Sequence, residues 1–73
     1  MITKQQLRME LDRFLEEKPK NWRKGQAIFN YVDMKYNHVA REAEFRYGID
    51  CFYKDSEIDA FIDKCVELIN QQD

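Results

Sequence analysis

Apolar positions recur at helical spacing over three stretches of this 73-residue chain, and each stretch reads as one packed face. In the first, Leu7, Leu11, Phe14 and Leu15 form a stripe, while Arg8, Glu10, Asp12, Arg13, Glu16 and Glu17 face water. Thr3 followed by Gln6 has capping-box spacing, and Ile2 and Leu7 stand at hydrophobic-staple positions, so a helix starts at Thr3. It stops ahead of Pro19, because a residue preceding proline is pushed out of the α region. The second stretch, Trp22 to Tyr36, is the most aromatic and reads as the central helix, with Asn21 as its N-cap. Trp22, Ile28, Phe29, Val32 and Tyr36 close onto one side, and Gly25 shares it. An inward glycine lowers helix stability by ~1 kcal/mol relative to Ala, which implies that another backbone or a ring approaches closely there. The third stripe is Ile58, Phe61, Ile62, Cys65 and Ile69, widened by Val66 and Leu68, behind a cap at Asp55 or Ser56.

Between the second and third stripes the period changes. Asn37 and His38 mark a helix end, with Asn37 suited to a left-handed position. From Val39 to Tyr47, Val39, Ala43, Phe45 and Tyr47 alternate with Ala40, Glu42, Glu44 and Arg46, which fits a half-exposed strand with Arg41 as the exception on its inner side. Gly48 is a natural turn, and Ile49 to Tyr53 is short and aromatic. The expected fold class is therefore α+β, helix-helix-strand-strand-helix, with a hairpin of Val39 to Arg46 and Ile49 to Tyr53 packed on the helices. The alternative is an all-α bundle, since Ala40 to Glu44 also favours helix.

Length changes this picture only by setting its scale. Residues 1–73 make a single domain, and a core at this length supplies only a few kcal/mol, so it must be dense in large side chains. One Trp, four Tyr and five Phe meet that need. No apolar run spans a bilayer and no signal-peptide order opens the chain, which points to the cytoplasm. Cys51 and Cys65 then read as small buried hydrophobes rather than a disulfide.

Charge is uneven although the net is −2. Met1 to Lys24 holds seven Lys and Arg against four acids, and Ile49 to Asp73 holds two Lys against seven acids. Either the first and last helices lie side by side and compensate each other, or basic and acidic ends dock between copies or onto a partner. Lys18, Lys20, Arg23 and Lys24 crowd the start of the central helix, where cations oppose the helix dipole. That is an anion site, or a set of long side chains reaching Glu16, Glu17 or the last helix.

The inventory argues against an enzyme. His38 is the only histidine, neither cysteine lies in a motif with a base, no Gly-rich phosphate loop is present, and no cofactor or metal is implied. The aromatic excess points instead to a small protein-binding or self-associating domain without catalytic activity, the partner being another protein or a second copy as a homodimer. Trp22, Tyr31, Met34, Tyr36 and Phe52 are the candidate contact residues, with Arg23 and Lys24 as the charged rim. The alternative is a nucleic-acid-binding accessory module resembling a winged helix-turn-helix, with Arg23, Lys24, Lys35, Arg41 and Arg46 along one side. A pI near 5.4 gives phosphate neutralisation little help.

The run Asn21-Trp22-Arg23-Lys24-Gly25-Gln26-Ala27-Ile28-Phe29-Asn30-Tyr31, with Gly48-Ile49-Asp50-Cys51-Phe52-Tyr53 and the amphipathic helix after it, resembles a group of small uncharacterised bacterial and phage-associated proteins. The resemblance runs from Asn21 onward and implies no activity. Chains of that group are more strand-like where this one has Ala40 to Glu44, which supports the hairpin, while the Glu and Ala here leave its length open.

Overall fold

The computed structural model describes residues 1–36 and 38–71, and every regular element in them is helical. The first is α1 (Lys4–Glu17) and the second α2 (Lys24–Lys35). A short α3 (Val39–Arg41) runs directly on as a π-helical segment (Glu42–Arg46), and α4 (Ile58–Gln71) is entered through a 3₁₀ turn (Asp55–Glu57). α1 packs on α2, α2 on α3, α3 on α4 and α4 back on α1, closing a ring around one core. The radius of gyration is 11.2 Å, against ~11 Å for a single compact domain of this length.

α1 forms where its cap and stripe place it. The Gln6 amide donates to Thr3 Oγ1 (3.1 Å) and the Thr3 amide to Gln6 Oε1 (2.9 Å), so both halves of the capping box are made. Leu7 and Leu11 are buried, and Lys18 turns extended ahead of Pro19. At the far end of the chain, Asn70 accepts from the Ile2 amide and donates to the Ile2 carbonyl, each at 2.8 Å, tying the start of the chain to the last turns of α4.

α2 starts later than expected. Arg23, not Asn21, is its N-cap, without a side-chain cap bond, and Trp22 lies in the preceding turn with its amide donating to the Pro19 carbonyl (3.0 Å). Gly25 is buried, and a Cβ there would stand 1.9 Å from the Cys51 carbonyl oxygen. The close neighbour implied by an inward glycine is thus the backbone of the turn leading to α4.

The hairpin is not formed, and the α+β expectation is corrected to an all-helical fold: no strand occurs among the described residues. Val39 and Ala43 satisfy both a two-residue and a helical period, so they do not discriminate. Ala40 does. A strand would turn it to water, whereas Val39, Ala40 and Ala43 are all fully buried, a spacing that only a helix provides. Their small side chains bring this helix close to α2 and α4. The chain then reverses at Gly48 (φ 69°), and the Ile49 amide donates to the Ala43 carbonyl (3.1 Å), one residue wider than a Schellman closure, as a π turn requires. Asp50 Oδ1 accepts from the Phe52 (3.0 Å) and Tyr53 (3.3 Å) amides, which makes residues 50–53 a turn rather than a strand. Asn37 lies outside the described residues; the left-handed position is filled by His38 (φ 61°).

α4 carries the broadest apolar face, with Phe61, Ile62, Cys65 and Leu68 buried. Cys51 and Cys65 are both buried free thiols, and burial pushes the Cys51 thiol up to about 12. The opposite charges of the two chain ends meet inside the molecule: Lys4 pairs with Asp59 (3.2 Å) and Asp63 (2.8 Å), and Arg8 pairs with Asp59.

Candidate functional site

The residues expected to form one contact surface occupy different faces. Trp22, Tyr31 and Tyr36 gather on the α1–α2 side. Phe14 stacks between Trp22 (6.5 Å) and Tyr31 (5.0 Å), so both rings are partly spent on packing α2 against α1. Beside them Glu10 Oε1 accepts from Tyr31 Oη (3.0 Å), Lys35 Nζ (2.9 Å) and Tyr36 Oη (2.8 Å). Burial raises the Glu10 carboxyl, but the bonds from Lys35, Tyr36 and Tyr31 together outweigh it and hold it below the usual carboxylate range. The same cluster pushes Tyr36 up to about 12, through burial first and its bond to Glu10 second. A groove of about 630 Å³ runs beside this cluster along Met1, Ile2, Met9 and Phe14. Glu10, Tyr31, Lys35 and Tyr36 bind one another, which makes the cluster a clamp between α1 and α2.

Arg23 and Lys24 lie elsewhere. Arg23 stands 3.9 Å from Asp55, and Lys18, expected in the same cationic cluster, donates instead to the Trp22 carbonyl (2.7 Å). Lys24 borders a groove of about 350 Å³ whose floor is Leu11, Leu15, Ile28, Ile58 and Ile62. Met34 is exposed.

Phe52 belongs to a third surface. Its ring meets Phe29 edge-on (5.7 Å) and Tyr53 at 4.8 Å, and with Phe45 these rings wall a cleft of about 280 Å³ that Arg41 and Glu44 complete. Phe45 is 77% exposed and Tyr53 67% exposed. Single exposed apolar residues are ordinary, but adjoining aromatic rings left in water on so small a domain are not. The local backbone explains the display. Phe45 sits within the π-helical segment on the side away from Ala43, and the Asp50 turn projects Phe52 and Tyr53 towards it. Phe45 and Tyr53 were missed because the strand reading turned Phe45 inward with Val39 and Ala43; helical spacing from Val39 and Ala43 puts it on the solvent side.

The charges around the cleft are mostly paired. Arg41 Nε lies 3.1 Å from Asp33 Oδ1, an ion pair without hydrogen-bond alignment, and its Nη2 donates to Asp33 Oδ2 (3.3 Å). Arg46 pairs with Glu42 one turn back (3.0 Å). Glu44 has neither an ion pair nor a hydrogen bond among the described residues, and burial, with Asp50 nearby, raises its carboxyl. The wing expected of a nucleic-acid module has no counterpart in the described residues, and Lys35, Arg41 and Arg46 of its basic side are bound to acids.

No family model, curated protein or solved structure matches the chain. No helix among the described residues is long and apolar enough to cross a membrane.

Proposed function

We propose that this chain is a small protein-binding domain without catalytic activity, and that its contact surface is the cleft of Phe29, Phe45, Phe52 and Tyr53. The observation that carries this reading is Phe45, a large ring 77% exposed on a helical segment whose other face is fully buried. Aromatic and Arg side chains around a shallow pocket are the composition of interface centres, where a few anchors supply most of the binding energy. At about 280 Å³ the cleft falls just below the ~300–1,000 Å³ of small-molecule sites, and it suits one side chain of a partner. A second copy of the chain is one such partner, but part of the charge that favoured docking of unlike ends, on Lys4, Arg8, Asp59 and Asp63, is paired within the molecule. The buried free cysteines suit a reducing compartment such as the cytoplasm.

The test is selection of displayed peptides on the wild-type domain, with the Phe45→Ser/Tyr53→Ser variant as the counter-target. Enrichment of peptides that bind the wild type and ignore the variant is expected. Binders that hold both equally, or map to the Met9 groove, would contradict the assignment.

A further inference from the structure

The rings of this protein are treated in two ways. Tyr31 and Tyr36 lie under Lys35 (5.6 and 5.5 Å to the ring centres), and Tyr47 lies under Lys64 (4.3 Å) with Arg46 at 5.6 Å. These clusters bring their own cation. The rings of the Phe45 cleft have none among the described residues, although Arg41 borders them, because Asp33 holds its guanidinium on both Nε and Nη2. On the same wall stands Glu44, a half-buried carboxylate without a counter-ion among the described residues, with Asp50 adding a second negative charge nearby.

An aromatic wall and an unpaired carboxylate attract the same chemistry. The negative ring faces draw a cation, and partial desolvation raises the worth of that attraction from ~0.5–1 to ~2 kcal/mol. The carboxylate adds a charge-assisted partner. Building on the protein-binding reading, we propose that the cleft receives the cationic head of a basic side chain, Lys, methylated Lys or Arg, presented by a partner protein, with Phe45, Phe52 and Tyr53 as ring contacts and Glu44 as counter-ion.

The experiment is an NMR titration of the full chain with the N-acetyl amides of lysine, trimethyllysine, arginine and norleucine, the last matching the lysine stem without its charge. At least one cationic amide is expected to move the signals of Phe45, Phe52 and Tyr53 saturably, and to bind roughly fivefold tighter than norleucine. Glu44→Gln should lose that preference while leaving the rest of the spectrum in place, since the Glu44 side chain makes no ion pair or hydrogen bond among the described residues and Gln keeps its shape. The ranking of the three cationic amides identifies the head group. Equal binding of norleucine, or an unchanged preference in Glu44→Gln, overturns the cationic assignment and leaves an apolar protein-binding cleft. Shifts confined to other surfaces overturn the assignment as well, and the peptide selection then decides the protein-binding reading by itself.

Discussion

Gly25 shows how one residue sets the relation between two parts of the fold. Its missing side chain lets the Cys51 carbonyl lie where a Cβ would stand, at 1.9 Å, with the Cys51 thiol reaching back to the Gly25 carbonyl at 3.6 Å. Gly25→Ala gains ~1 kcal/mol of helix propensity, yet the obstructing atom is backbone and cannot rotate away, so the overpacking cost of ~1–3 kcal/mol or more wins. Its unfolding midpoint should fall by at least ~5 °C in a thermal melt, since 1 kcal/mol moves a domain of this size by ~4–8 °C. An unchanged or raised midpoint would mean that the two segments are not in contact. At Gly48 the constraint is the backbone itself, φ 69° with open space around a would-be Cβ, so Gly48→Ala should cost only the strain of ~1 kcal/mol. Gly25 was legible in the sequence because an inward glycine in an apolar stripe is anomalous. Phe45 was not, because its meaning depends on whether the segment is read with period two or period 3.6.

The elements divide in the same way. α1 and α4 were legible because their stripes are long and agree with local signals, a capping box at Thr3 and an acidic approach to Ile58. The start of α2 was misplaced by two residues, since Asn21 is a good cap by residue type but is held in the turn closed by Trp22 on Pro19. The region of α3 failed because helix propensity and alternation competed over a few residues, and the choice was made by the burial of Ala40, a tertiary effect. The join between α1 and α2 yields a pH prediction. Glu10 titrates lower in the folded state than its ordinary 4.5, so its contribution is fully present above that value and is lost as the pH falls through the lower folded value. Glu10→Gln should be less stable than wild type by ~1 kcal/mol near neutrality, a figure kept small because the cluster is partly exposed. The difference should shrink towards zero in acid denaturation. Tyr36 acts in the opposite range. Its hydroxyl is raised from 10.0 to about 12, so the stability it confers is present below pH 10 and lost as pH rises to about 12. Lys35 is raised as well, by its bonds to Glu10 and Tyr31, and gives up stability over an overlapping range, so Tyr36→Phe should show a smaller alkaline loss than wild type in unfolding curves taken through the same window; an identical loss in the variant would place the titration elsewhere.

At the scale of the whole molecule, the basic front and acidic back turn out to hold α1 to α4 through Lys4, Arg8, Asp59 and Asp63. Surface pairs of this kind contribute little each, and salt should weaken them only modestly. The core is carried by Leu7, Leu11, Ile28, Val32 and Phe61, while Phe45 and Tyr53 stand outside it. A domain this small depends on its buried rings and gains little from exposed ones. The central claim is that the exposed rings serve a partner and not the fold, and paired thermal melts of Phe45→Ala/Tyr53→Ala and Phe61→Ala test it most directly. Exposed positions away from structural contacts cost about 0.5 kcal/mol or less each, so the double variant should melt within ~8 °C of wild type. Phe61→Ala, at ~3–5 kcal/mol, should leave little folded protein. A double variant that unfolds as readily as Phe61→Ala would contradict the account and return Phe45 and Tyr53 to the core.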